Sequence, residues 1–309
     1  MIEVIIDCDP GIDDALALIF ALKSEDFRIR AITTVGGNVP VDRGTENMLK
    51  LLELTGRVDI PVAEGSNPPM LSRYERRILV HGEDGLGNYP LPTPKIKPSP
   101  MRAKDTLKSQ IEAAEGELNI ITLGPLTNLA SIISDEPKIL HKIKSVTVMG
   151  GAISCPGNVT SVAEFNIYMD PVAARKVFNS GLPITLVPLD VTMKTLLLEK
   201  HIREIEKAEN PITDFISKVS MYYLGIHRRF FGIDGCPMHD PLATAYVSHP
   251  EIMRAEPLWV DVETKGELTL GETVADLRSG RVKPPPNMNV CLEVDTERFL
   301  EIFIGNIMK

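Results

Sequence analysis

Asp7-Cys8-Asp9-Pro10-Gly11-Ile12-Asp13-Asp14-Ala15-Leu16-Ala17 is the stretch from which the rest of the chain is best read. It follows an apolar run, Val4-Ile5-Ile6, and leads into Leu16, Leu18, Ile19, Ala21 and Leu22. The pattern predicts a strand, a turn at Pro10-Gly11 and a helix opening near Asp13. Side chains alternate along a strand, so Asp7 and Asp9 point to one side, and the turn brings Asp13 and Asp14 back toward them. A single aspartate in a first helical turn is ordinary, because free amides and the helix dipole favour it. Four carboxylates on one turn repel each other unless a cation sits among them. Oxygen-only donors suit a hard divalent ion such as Ca²⁺ or Mg²⁺.

The strand-helix rhythm continues outward from that turn. Ile29 to Val35 is rich in β-branched residues and stops at Gly36-Gly37-Asn38; a helix is expected over about Arg43 to Leu54, and Ile60 to Ala63 reads as a short strand. Further on come a helix at Ala103 to Glu115, strands at Leu118 to Leu123 and Ser145 to Met149, a helix at Pro171 to Asn179 and a strand at Ile184 to Val187. This alternation predicts an α/β fold: an open, mostly parallel, twisted sheet flanked by helices, in one domain over 1–309. A parallel sheet places the carboxyl ends of its strands on one edge. Asp7 and Asp9, Asn38, Leu123-Gly124 and Gly150-Gly151 should therefore meet in one crevice.

Two segments interrupt the rhythm. Residues 64–100 are proline-rich and contain His81-Gly82-Glu83-Asp84-Gly85-Leu86-Gly87, and so long a loop in a compact domain is usually functional. A long helix from Pro211 to Phe230 ends in an aromatic run, Tyr222-Tyr223-Leu224-Gly225-Ile226-His227, which serves core packing or a ligand equally well. Residues 64–100 and about 222–235 are thus expected as rim or lid. The aperiodic stretch from Gly157 to Asn166 offers Asn158, Glu164 and Asn166 as loop donors and acceptors or as turn caps. Asp240 precedes Pro241 and would make a natural helix N-cap. Strands at Leu258 to Val262 and Val290 to Val294 and an amphipathic helix close the chain.

Composition narrows the partners. The chain has 309 residues, 43% hydrophobic, and a formal net charge of -9, which argues against nucleic acid or an anionic membrane surface. Its basic clusters, Arg73 to Arg77 and Arg228-Arg229, are short. Cys8, Cys155, Cys236 and Cys291 lie far apart, with neither zinc spacing nor a disulfide framework. No apolar run reaches the roughly 18 residues of a membrane span, so a soluble, cytoplasmic protein is expected.

Six separated motifs carry a resemblance: DCDPGIDDALA, VGGN at Val35 to Asn38, HGEDGLGN at His81 to Asn88, GPLTN at Gly124 to Asn128, GNVTSVAEFNI at Gly157 to Ile167, and HDP at His239 to Pro241. In content and order they resemble the inosine-uridine-preferring nucleoside hydrolase family. The resemblance implies hydrolysis of a ribonucleoside to base and ribose around a bound Ca²⁺. It places the ion on Asp9, Asp14, Asp240 and the Leu123 carbonyl, with Asp9 also the general base. It sets Asp13, Asn38, Asn158, Glu164 and Asn166 on the ribose hydroxyls and His81 and His239 near the base, in a homodimer or homotetramer.

The chemistry of the residues agrees, since carboxylates and amide oxygens stabilise the positive charge that builds on a ribosyl ring. Two other classes compete. One is an Asp/Mg²⁺ phosphohydrolase, which the D-x-D superficially resembles although no downstream Lys and paired-acid pattern follows. The other is a silent calcium-dependent nucleoside binder, for which Asp9 and His239 would be dispensable. Purine-restricted members of the family stack the base between tryptophans, and the single Trp259 lies away from every motif. A pyrimidine-accepting or broad enzyme is expected, with His239 as acid for the leaving base because an ordinary histidine titrates near 6.5. A purine-preferring enzyme is the alternative.

Overall fold

The first strand, β1 (Ile2–Cys8), carries Val4, Ile5, Ile6 and Cys8, all fully sealed from solvent. Burial on both faces is what a central strand of a parallel sheet requires. In the computed structural model, which describes residues 1–72, 80–279 and 283–309, it is followed by β2 (Phe27–Thr34), β3 (Val62–Glu64), β4 (Leu118–Thr122), β5 (Ile143–Met149) and β6 (Ile184–Val187). Two short strands, β7 (Leu196–Leu197) and β8 (Cys236–Pro237), pair with each other; β9 (Met253–Leu258), β10 (Val260–Val262), β11 (Thr273–Ala275) and β12 (Met288–Val294) complete the set. The cluster Arg73 to Arg77 and the adjoining part of the 64–100 rim lie outside the described residues.

One eight-stranded sheet runs in the order β3-β2-β1-β4-β5-β6-β12-β9. Its neighbours are parallel except for β9, which lies antiparallel on β12 at the edge. Strand order reverses between β1 and β4, the switch point at which open α/β sheets form their crevice.

Helices cover both faces. On one pack α1 (Ile12–Lys23), α2 (Val41–Thr55), α9 (Pro211–Ile226), α10 (His239–Ser248) and α11 (Thr296–Met308); on the other lie the helices Ala103–Ala113, Thr127–Asp135 and Pro171–Phe178. Every residue of α1 from Ile12 to Leu22 is buried, so its acidic first turn is held in the interior against α10. No described helix is long and apolar enough to cross a membrane.

Two expectations change. The strand expected over Leu258 to Val262 is broken at Trp259, β9 pairing with β12 and β10 with β11. Asn287 explains the break: its Oδ1 accepts the Val260 N–H and its Nδ2 donates to the Val260 carbonyl, both at 2.8 Å. Those are the backbone groups a continuing ladder would need. The helix expected to Phe230 ends as α-helix at Ile226; His227 to Phe231 form a π turn closed by Gly232 in the left-handed region, φ 68°.

Candidate active site

The acidic turn meets α10 at the carboxyl edge of the sheet. Asp13, Asp14 and Asp240 each offer an oxygen within 4.8 Å of the others, and all three residues are buried. Burial and the mutual charge of Asp13 and Asp14 push Asp13 up to about 8; burial raises Asp14 to about 6 against several hydrogen bonds that favour its anion. Burial, followed by Asp13, Asp14 and Asp9, lifts Asp240 well above the carboxylate range. One oxygen of Asp13 is sealed and has no hydrogen bond. Asp240 is not the helix N-cap its position before Pro241 suggested: it sits inside the first turn of α10, whose cap is Met238.

Asp14 organises the turn. Its Oδ1 accepts the Asp9 N–H at 3.1 Å, and its Oδ2 accepts the Gly11 N–H at 2.9 Å and the Asn38 Nδ2–H at 3.1 Å. Asp9 in turn accepts the Asn38 N–H at 2.6 Å. Its carboxylate lies in a glycine cradle: a Cβ at Gly37 would come within 2.0 Å of Oδ2, and one at Gly124 within 2.6 Å of Oδ1. Gly37 of VGGN and Gly124 of GPLTN are thus small because Asp9 occupies the space, while Gly36 faces Asn67 instead. Asp7 turns elsewhere than expected, toward Thr33 Oγ1 at 2.5 Å and Asn128 Nδ2 at 2.8 Å, and burial raises it to about 6.

A cavity of about 820 Å³ opens over this floor, lined by Asp13 and Asp240 and by Asn38, Leu123, Asn158, Glu164 and Asn166. That volume lies within the roughly 300–1,000 Å³ of small-molecule sites. Asp9 and Asp14 are buried behind its wall. Asn166 donates to the Leu123 carbonyl at 2.7 Å, locking β4 to the loop after β5. Glu164 accepts from Gly151, Asn166 and Ile167, so the turn-capping reading holds for it. Asn158 also caps, accepting the Phe165 N–H at 2.9 Å, but its side chain is exposed.

Three histidines line the same cavity. His81 accepts the Ile12 N–H on Nδ1 at 3.1 Å, and that nitrogen lies 3.7 Å from Asp13 Oδ1. A nitrogen that accepts carries no hydrogen, so the neutral ring keeps its proton on Nε2. His239 Nδ1 is 2.8 Å from Thr192 Oγ1; burial, and then His227, push its pKa down to about 3. The ordinary value near 6.5 assumed from sequence therefore does not apply, and His239 rests neutral. His227 lines the cavity together with Phe231 and Ile233.

Sequence reasoning reached Tyr223, His227 and Phe231 only as part of the 222–235 rim or lid, and Asn128 only as the last residue of GPLTN, with no individual role for any of them. The aromatic run was the available signal for the first two, but helical spacing alone does not tell a core face from a cavity face.

Residues 4–301 match the family described as inosine-uridine preferring nucleoside hydrolase. A pyrimidine-specific ribonucleoside hydrolase RihA from Shewanella woodyi is 39% identical over 98% of this chain and 97% of its own. Among solved structures, a purine-preferring ribonucleoside hydrolase from Gardnerella vaginalis superposes with a TM-score of 0.92 at 31% identity, covering 99% of this chain and 98% of that one. A plant nucleoside hydrolase, PpNRh1, gives a TM-score of 0.92 at 34% identity over the same shares.

Proposed function

The chain belongs to the inosine-uridine preferring nucleoside hydrolase family and hydrolyses the N-glycosidic bond of ribonucleosides, and from that premise we propose a calcium-dependent enzyme that accepts pyrimidine nucleosides as well as inosine. The observation that carries the reading is the buried acidic cluster facing one cavity whose lining also brings amide, imidazole, aromatic and aliphatic side chains.

The donor set suits a hard cation. Its groups are carboxylate and carbonyl oxygens with neither thiolate nor imidazole, their anions are destabilised by burial, and a sealed Asp13 oxygen has no hydrogen-bond donor. In the proposal Asp9, Asp14, Asp240 and the Leu123 carbonyl hold Ca²⁺, with Asp13 adjoining. When bound, the ion supplies the field that acidifies a water and keeps these carboxylates ionised.

Asp9, immobilised by the Asn38 amide and the glycine cradle, takes the proton from water as general base. Asp13, Asn38, Asn158, Glu164 and Asn166 hold the ribose hydroxyls, and the carboxylates among them stabilise the positive charge that grows on the ring. His81 and His239 face the base. His239 is neutral at rest, so as proton donor it must gain its proton with the base already bound, when negative charge developing on the base favours the imidazolium.

The absence of tryptophan from the described cavity wall and the likeness to pyrimidine-specific relatives support the base preference. Incubation with uridine, cytidine, inosine and p-nitrophenyl phosphate tests the whole reading: ribose should appear from the nucleosides. Phosphate release without ribose would overturn it. A preference for inosine and guanosine over uridine and cytidine beyond about a thousandfold, roughly 4 kcal/mol, would overturn the pyrimidine assignment alone.

A further inference from the structure

The chain from Gly150 to Glu164 links β5 to the short helix Phe165–Met169 and forms no helix or strand of its own beyond a single bridge between Ala163 and Glu272. Its later part lines the cavity at Gly157, Asn158 and Glu164. Backbone groups that leave a sheet must find partners elsewhere. The outgoing end has them, because Glu164 accepts the Asn166 and Ile167 N–H groups and Asn166 donates to the Leu123 carbonyl. The incoming end depends on another element.

That element is the helical turn Leu189–Thr192, which follows β6. The Leu189 N–H donates to the Gly151 carbonyl at 2.9 Å. Asp190 Oδ2 accepts the Ile153 N–H and its Oδ1 the Ser154 N–H, both at 2.8 Å, and the Cys155 thiol donates to Oδ2 at 3.4 Å. Asp190 is buried, and among the described residues the partners of its carboxylate all come from this one segment. Hydrogen bonds to a carboxylate are roughly twice as strong as those between neutral groups, so two successive amides bound this way fix the course of the backbone. The pinned segment reaches the site directly: its Gly151 N–H donates to Glu164 Oε2 at 3.0 Å, and its far end runs through Pro156 into Gly157 and Asn158.

We infer that Asp190 is a positioning residue for the hydrolysis, one that holds residues 151–155 on the turn after β6 so that Glu164 is aimed at the ribose. Asp190 is not part of the described cavity wall and touches no substrate. The inference rests on the ribose-binding role proposed for Glu164. Without the Asp190 carboxylate the Ile153 and Ser154 amides lose their acceptor, and the Gly151 peptide is held on that turn by Leu189 alone. The bonds from Asn166 and Ile167 still cap the helix, but the third bond, which steers the Glu164 carboxylate from the sheet side, is no longer fixed. Loss of positioning therefore acts through Glu164, whereas loss of mere structural support acts whether Glu164 is present or absent.

A double-mutant cycle separates the two, read as kcat/KM for p-nitrophenyl riboside, whose leaving group needs no proton and so reports on the sugar side. Asp190→Ala in the otherwise wild-type chain should lose about tenfold or more, in line with the loss of charge-assisted hydrogen bonds. Introduced beside Glu164→Ala, the same substitution should cost less than about threefold, because residues in one network are not additive. Thermal unfolding reports whether each variant is folded. Asp190→Asn, which keeps the shape and one acceptor oxygen, should lose less than the alanine variant, and it carries the cycle if Asp190→Ala does not fold. A folded Asp190→Ala as active as wild type, or a loss as large without Glu164 as with it, would overturn the positioning role. Full activity of Glu164→Ala would instead refute the ribose role of Glu164 and this inference with it, and a wild type that releases ribose from no nucleoside would refute the reaction itself; neither result needs an Asp190 variant to be seen.

Discussion

Replacing Gly37 with alanine tests the cradle that holds the general base. The backbone at Gly37 lies outside the left-handed region, so alanine is conformationally acceptable and space is the only objection. A Cβ there would lie 2.0 Å from Asp9 Oδ2 and 2.7 Å from its Cγ, against roughly 3.5–4.0 Å for comfortable contact between carbons. The carboxylate must withdraw by about 1 Å or more, and its 2.6 Å bond from the Asn38 amide goes with it. Overpacking costs about 1–3 kcal/mol, and a buried amide left unpaired a similar amount. Misplacing a reacting group by about 1 Å costs around a hundredfold in rate, or ~2.7 kcal/mol at 1.36 kcal/mol per tenfold. Steady-state hydrolysis of p-nitrophenyl riboside should therefore show kcat reduced about a hundredfold or more, with thermal unfolding reporting whether the variant is folded. Folded Gly37→Ala with kcat within about threefold of wild type would refute the assignment of Asp9 as a base that needs this position.

Chelation should remove activity and lower Tm, and calcium should restore both; elemental analysis should find about one ion per chain, and Asp9→Ala should be nearly inactive yet folded. Full activity of demonstrably metal-free protein would end the calcium proposal. His239→Ala should depress kcat for inosine much more than for p-nitrophenyl riboside, whose leaving group needs no proton; equal losses would remove the acid role. Gly305→Ala, at an exposed position near the carboxyl end of α11 with nothing within 4 Å of the new Cβ, should raise unfolding free energy by up to about 0.5–1 kcal/mol, and a lower Tm would contradict it. His227 is held neutral by burial, its pKa below the ordinary value. Its contribution to stability is complete above about pH 6.5 and is lost as pH falls from there toward the folded-state value. Denaturant unfolding at pH 7 and pH 5 should therefore show wild type losing more stability than His227→Phe, and parallel curves would contradict the sign.

The strands and helices were legible because their determinants are local. Val4-Ile5-Ile6 followed by Asp9-Pro10-Gly11 and an apolar helical run admits few conformations, and the ends of parallel strands share one edge by topology, which is why Asp9, Asn38 and Leu123 could be placed together from spacing. Family motifs gave reactivity to residues whose geometry was still unknown. Other features depended on atoms far apart in the chain. The grouping of Asp13 and Asp14 with Asp240 exists because α1 packs on α10, and the raised carboxylates and the neutral His239 follow from burial that no local pattern encodes. The break at Trp259 is made by Asn287, 27 residues after the Val260 it binds. The ring of His227 is oriented by the Tyr223 carbonyl, 4 residues earlier; the spacing is helical, but only the packing of the whole chain makes this residue part of the cavity lining. Local periodicity can specify which residues share a face. What that face meets, and how far water is kept from it, is decided by the packing of the whole chain.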